Sequence, residues 1–201
     1  MTHLRLRRRC NAFTLIELFV VMAVITILAG LAFPVFNMVQ NTAKKTQAKN
    51  DLVQIVTAVN AFYTEYGRYP VPAGTTGEPI FGGATSHRPI MDALRGAETS
   101  TTPLNPRLII FISPPDSKDQ VRAGIVTSDQ QFHDPWGSAY RLRIDDDYDN
   151  QVVNPYSGSA GSAPLRLGVI AWSLGNDTTT PPATPADKNT GINKDDVISW
   201  Q

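Results

Sequence analysis

The sequence holds 201 residues with 18 basic and 18 acidic side chains, so its formal net charge is zero. That balance excludes the strongly basic footprint of a nucleic-acid-binding domain, and the length suffices for one compact domain beyond an anchor. A single cysteine, Cys10, excludes an intrachain disulfide.

Residues 1–12 carry Arg5, Arg7, Arg8 and Arg9 and no acid. They read as a short basic leader and are set aside from the fold. Without these four arginines, 14 basic residues face 18 acidic ones, a net of −4. An apolar run follows, from Phe13 to Phe36, with no charge between Leu18 and Phe33. With its flanks this run approaches the ~20 residues that cross a bilayer as a helix. A secretory signal would have a shorter apolar core and a small-residue cleavage pattern. Here Pro34 and Asn37 close the run. By the positive-inside rule the arginines hold the N-terminus in the cytoplasm and the rest is delivered to the far side. Glu17 is the exception within the run, since an acid in a membrane helix costs roughly 2.5–3.5 kcal/mol. It either sits at the headgroup boundary or pairs with a cation. The candidate cation is an α-amino group created by cleavage before Phe13, one helical turn away, on the same chain or a neighbour.

Asn37 to Tyr66 contains neither Gly nor Pro. Leu52, Ile55, Val56, Val59, Phe62, Tyr63 and Tyr66 recur at spacings of three and four, the stripe of an amphipathic helix with a core-facing side. Gly67 is the expected C-cap and Pro70 follows it. The spacing therefore predicts one long helix, loosened or kinked at Pro34. The expected division is a leader (1–12), a membrane and assembly helix (13–36), its amphipathic continuation (37–66) and an α+β domain (67–201).

Beyond the helix, residues 67–107 are loop-rich. A short helix is expected over Pro89 to Arg95, with Ser86 or His87 near its start. Arg107 to Ser113 reads as a brief strand or a helical turn, and residues 116–131 carry no clear signal. Asp134-Pro135-Trp136-Gly137 reads as a turn leading into a strand from Tyr140 to Ile144, with Trp136 packed on the long helix. Asp145, Asp146, Asp147 and Asp149 form an acidic turn. A strand is expected from Leu165 to Leu174, a long loop over Gly175 to Lys194, and a closing strand at Val197 to Trp200. The fold class is α+β: a long N-terminal helix packed on a small antiparallel sheet.

The chemistry is sparse. His87 and His133 sit in no nucleophile motif and read as surface or turn residues. There is no G-x-S-x-G or H-E-x-x-H, and Gly82-Gly83 lacks the G-K-[ST] of a phosphate loop. The chain does not read as an enzyme. Of 14 aspartates, 12 follow residue 115, which suits turns and hard-cation sites. Asp145-x-Asp147-x-Asp149 has the spacing of the start of an EF-hand loop without its glycine and closing glutamate, and reads as a solvated hairpin turn. The second acidic set joins Ser173-Leu174-Gly175-Asn176-Asp177 to Asp195-Asp196. Adjacent strand ends could bring these carboxylates together, with carbonyls such as that of Leu174 completing a calcium shell.

The basic leader, Ala12-Phe13-Thr14-Leu15-Ile16-Glu17-Leu18 and Pro34 together resemble the class III signal of type IV pilins and type II secretion pseudopilins. The resemblance implies that a prepilin peptidase cuts between Ala12 and Phe13 and methylates Phe13, and that Glu17 and Pro34 serve assembly. Ala12 departs from the family's usual glycine. The series Asp134-Pro135-Trp136-Gly137, Tyr140, Ser173 to Asp177, Asp196 and Trp200 resembles the C-terminal part of the major pseudopilin. That implies a Ca2+ ion held by Asp177 and Asp196, with Asp195 as an alternate and the Leu174 carbonyl as a further ligand. Residues 71–131 match no pattern, and the loop Thr178 to Thr190 is longer than the family's. The implied fold is pilin-like. The implied role is a structural subunit that leaves the bacterial inner membrane for a periplasmic pseudopilus and helps export folded proteins. Implied partners are copies of itself, minor pseudopilins, the prepilin peptidase and an inner-membrane assembly platform, with no nucleic acid. Two alternatives share parts of this pattern. One is a type IV pilus subunit for adhesion, twitching or DNA uptake, which the lack of a C-terminal disulfide disfavours. The other is a membrane-tethered calcium-binding module that never polymerises.

Overall fold

A computed structural model describes residues 13–181 and 185–201, and the side chains of residues 31–35 fall outside that description. The leader and Ala12 therefore lie outside the described residues, as does the Pro34 side chain. The chain divides into two compact units, residues 1–42 and 43–201.

The helix α1 runs from Leu15 to Tyr66. It ends where the sequence places its stop: Gly67 adopts φ +66° and its N–H reaches the Tyr63 carbonyl at 2.8 Å, a left-handed cap that glycine takes without steric cost. In the first unit the described large apolar side chains of α1 are exposed, among them Leu15 at 85% and Phe19 at 70%. Among the described residues no helix is long and apolar enough to cross a membrane.

In the second unit α1 becomes the floor of a core. Ala48, Leu52, Ile55, Val59 and Phe62 are fully buried, and Val56 and Tyr66 pack against the same cluster. Truncating one such aromatic, Phe62, costs about 3–5 kcal/mol at sites of this kind. A short helix α2, Arg88–Arg95, adds Ile90, Met91, Ala93 and Leu94. The strands are β1 (Gly124–Ile125), β2 (Phe132–His133), β3 (Arg141–Ile144), β4 (Val169–Ser173) and β5 (Val197–Ile198). β1 and β2 form one antiparallel pair, and β3-β4-β5 form a second antiparallel sheet.

Strand β4 explains the uninterrupted apolar run Val169-Ile170-Ala171-Trp172. Alternate residues face opposite sides of a sheet. Val169 and Ala171 enter the cluster built on α1, while Ile170 and Trp172 enter a second cluster with Val152, Tyr156, Ala160, Leu174, Ala186 and Ile198. The sheet is covered on both faces, by helix on one and by loops on the other.

Several expectations are corrected. Arg107 to Ser113 is neither strand nor helical turn. It is irregular, and Phe111 and Ile112 donate backbone hydrogen bonds to the Leu94 carbonyl at the end of α2. The featureless stretch 116–131 contains β1, too short for any periodicity to show. The closing strand is only Val197–Ile198. His87 is fully buried rather than at the surface, and His133 lies in β2 with Nε2 2.9 Å from an Asp129 carboxylate oxygen. The turn at Asp145 is not simply solvated: Asp145 is 1% exposed, and β3 connects to β4 through a long excursion.

Candidate functional site

At the N-terminus, Thr14 precedes the first residue of α1. Its backbone N–H and its hydroxyl both donate to Glu17 Oε2, at 2.8 and 2.7 Å, and its hydroxyl accepts from the Glu17 N–H at 3.3 Å. This is a capping box, in which Ser or Thr and a Glu three residues on satisfy each other's orphan donors. Thr14-x-x-Glu17 was readable as that signature and the sequence reading passed over it. In the isolated chain Glu17 is therefore satisfied locally, and Phe13 is 76% exposed beside it.

The second site lies where β4 ends and β5 begins. Pairing of Trp172 with Ile198 and of Ser173 with Val197 brings the two strand ends side by side. Lys49 of α1 donates to the Ile198 carbonyl at 2.7 Å, tying β5 down on its far side. After β4, Gly175 turns at φ +68°, and a Cβ there would meet Asp195 Oδ2 at 2.6 Å. That oxygen accepts from the Asn176 and Asp177 N–H groups, at 2.5 and 3.1 Å. Asp177 accepts from the Thr179 N–H at 2.9 Å.

Asp196 is 4% exposed. Its Oδ2 accepts from the Tyr156 hydroxyl at 2.5 Å, while Oδ1 is buried with no partner. Burial raises its pKa to about 7; the Tyr156 hydrogen bond opposes this, and the negative charge of Asp195 adds to it. Asn193 is also buried. Its Nδ2 donates to the Asp187 carbonyl at 2.8 Å and its Oδ1 has no partner. Buried acceptors without a donor are rare and ask for an explanation, an ion or water among them.

The structure brings the Asp195 carboxylate against the backbone N–H groups of Asn176 and Asp177, whereas among the described residues the carboxylates that converge within ligand distance of one another lie elsewhere. It uses Asp195 first as a turn cap. Asn193 was missed because nothing in the sequence marks it. Asp134 was also under-read. Its Oδ1 accepts from the N–H groups of Trp136, Gly137 and Ser138 at 3.0, 2.8 and 2.9 Å, and its Oδ2 takes the Ser173 hydroxyl at 2.5 Å. Ser173 Oγ in turn accepts from the Gly175 N–H at 3.1 Å. The Asp-Pro-Trp-Gly turn is therefore a latch on the strand end that leads into the acidic loop, and Trp136 packs against the core cluster built on α1.

A second acidic group forms elsewhere. Ligand-capable oxygens of Glu78, Asp145, Asp147 and Asp149 lie within 4.8 Å of one another. Glu78 is far away in sequence and could not have been assigned from spacing.

Residues 7–33 match the family described as the prokaryotic N-terminal methylation motif. Over 65 residues, 32% of its length, the chain is 43% identical to the type IV major pilin protein PilA of Myxococcus xanthus (strain DK1622), a match that spans 30% of that relative. The N-terminal segment of the chain is thus similar to that of type IV pilins. Over 171 residues it is 25% identical to the type II secretion system core protein G of Dickeya chrysanthemi, covering 85% of this chain and 92% of the relative. No solved structure gives a significant match.

Proposed function

We propose that the chain is a structural subunit of a type II secretion pseudopilus that helps drive export of folded proteins. One observation carries this reading: the similarity to core protein G runs through 85% of this chain and 92% of that relative. The likeness to PilA favours a second reading, a type IV pilus subunit, but it covers only 65 residues, and a shared anchor would supply that much. Deleting the gene in its host separates the two. Loss of folded exoproteins from the medium with surface pili intact supports the pseudopilus. Normal export with loss of pili would replace it with the pilus.

In this reading residues 1–12 are removed between Ala12 and Phe13, and Phe13 is methylated. Residues 13–36 anchor in the inner membrane with the N-terminus cytoplasmic, residues 37–66 continue the helix, and residues 67–201 are periplasmic. Glu17 leaves its local bond to Thr14 for the amine of a neighbouring subunit, and Pro34 serves the same assembly. The partners are other copies, minor pseudopilins, the peptidase and an inner-membrane platform. Glu17→Ala is expected to insert normally while the yield of cross-linked filament falls by an order of magnitude or more. Unchanged filament yield would remove the pairing.

We propose that the acidic loop takes a calcium ion. Asp177, Asp195, Asp196 and the Leu174 carbonyl would hold it, and the orphaned Oδ1 of Asp196 supports the fit. A bound calcium ion supplies positive charge and oxygen coordination to acceptors that have none. This chain's own residues do the rest: they fix the loop between two paired strand ends and exclude water from Asp196. Unfolding of the full chain in detergent, with calcium and with chelator, tests this. A calcium-dependent rise is expected, and its absence would remove the ion.

A further inference from the structure

Two side chains in the turn before β5 share one defect. Asn193 is 5% exposed and Asp196 is 4% exposed, and each keeps its Oδ1 buried without a partner. The backbone sets the two on one side. Asn193 ends a short 3-10 helix, Gly191–Asn193, and Lys194 keeps helical angles, φ −65° and ψ −29°. The Asp196 N–H then donates to the Asn193 carbonyl at 3.2 Å, so the three-residue hydrogen-bonding pattern carries on. Side chains three residues apart in such a turn eclipse one another. Asn193 and Asp196 therefore project from the same face of the turn, into the protein.

Neither side chain can rotate to relieve its orphan. Asn193 Nδ2 donates to the Asp187 carbonyl at 2.8 Å, and turning the amide over would set its oxygen against that carbonyl. Asp196 Oδ2 is held by the Tyr156 hydroxyl at 2.5 Å. Two acceptors on one face cannot satisfy each other, and they require a donor or a cation. Among the described residues the converging carboxylates lie elsewhere, and Asp195 Oδ2 already serves the Asn176 and Asp177 N–H groups. A cation in this loop must therefore draw on neutral oxygens as well. Calcium accepts the side-chain carbonyl of asparagine alongside carboxylates and backbone carbonyls.

We propose that Asn193 is a ligand of the cation loop, its Oδ1 coordinating a divalent cation together with Asp196 Oδ1. This rests on the calcium reading above and adds to it a neutral side-chain ligand on the same turn as Asp196. The neutrality has a purpose. A third acid here would crowd the empty loop with buried negative charge. An amide supplies the oxygen without that charge, and the loop gives up some cation affinity in return, since affinity follows ligand charge.

The test is calcium titration calorimetry on the full chain in detergent, for the wild type, Asn193→Leu, Asn193→Ala and Asn193→Asp, with melting in chelator to show that each is folded. All three variants lose the Nδ2 bond to Asp187 and should melt below the wild type in chelator. They differ in the oxygen. Asn193→Leu and Asn193→Ala remove it and should bind calcium about tenfold more weakly or worse, the effect of losing one contact to a charged group. Asn193→Asp keeps an oxygen and adds a charge, so it should bind at least as tightly as the wild type. A residue that only braces the turn would move all three variants alike, and equal weakening would overturn the proposal. Wild-type affinity in all three would also overturn it, since the two oxygens then hold water, and would leave the calcium reading standing. No calcium binding by the wild type would overturn both.

Discussion

The two acidic loops contain nearly the same side chains and treat them in opposite ways. In the loop after β3, every member of the cluster already holds a backbone donor. Asp145 accepts from the Asp149 and Asn150 N–H groups, Asp147 from Asp149, Asp149 from Gln151, and Glu78 from Val153. In the loop before β5, Asp195 is likewise spent on the turn, but Asp196 keeps one buried oxygen with nothing to bond. The first loop uses carboxylates to fold itself. The second leaves a demand unmet. On the proposed reading the orphaned acceptor, and not the crowding of acids, marks the loop that takes a cation.

The largest expected effect breaks the second loop. Asp196→Ala removes the orphaned oxygen and also leaves the Tyr156 hydroxyl buried without its acceptor, a loss of about 1–3 kcal/mol. It should also abolish the calcium increment, which is ~2.7 kcal/mol when the ion is at a hundred times its dissociation constant. Melting curves with calcium and chelator read both. A calcium response that survives in Asp196→Ala would place the ion elsewhere.

A smaller effect sharpens the contrast through pH. Asp196 is raised to about 7, first by burial, whereas an unfolded aspartate titrates near ~3.9. Between those values the folded chain holds a proton that the unfolded chain has lost. Stability of the metal-free protein from this group is therefore full at low pH and falls as pH rises from about 4 to 7. His87 acts in the opposite sense. Burial lowers it to about 3, so its contribution is full above ~6.5 and is lost as pH falls toward 3. The difference between the wild type and Asp196→Asn, measured in chelator at pH 5 and pH 7, isolates the first group. The wild type should lose ground to the variant on going to pH 7. A constant gap would mean that Asp196 is not buried as an acid.

Most of the fold was legible because it rests on periodicity. The stripe from Leu52 to Tyr66 repeats for four turns, Gly67 caps it, and the apolar run at β4 is long enough to register. The two-residue strands β1 and β5 carry no period, so they were missed or overdrawn. The sites divide the same way. Phe13, Glu17, Asp177, Asp195 and Asp196 stand in local patterns that a sequence displays. Glu78, Asn193 and the Ser173 end of the Asp134 latch depend on which strand ends and loops meet. His87 was misjudged because a lone histidine gives no sign that α2 and β2 will close over it, with its Nε2 accepting the Phe132 N–H at 2.8 Å.

The smallest predicted effect is the one most able to reverse the comparison. Asp147 is exposed and lies among three other carboxylates. Its acceptor role toward the Asp149 N–H at 3.3 Å can be kept by an asparagine oxygen. Asp147→Asn therefore removes a repelling charge and little else, and exposed charge pairs are worth little in water. The melting temperature in chelator should rise by about 1 °C or less, and the calcium increment should equal that of the wild type. If Asp147→Asn instead abolishes the calcium increment while Asp196→Ala retains it, the crowded loop is the cation site and its backbone bonds are the scaffold of a ligand set.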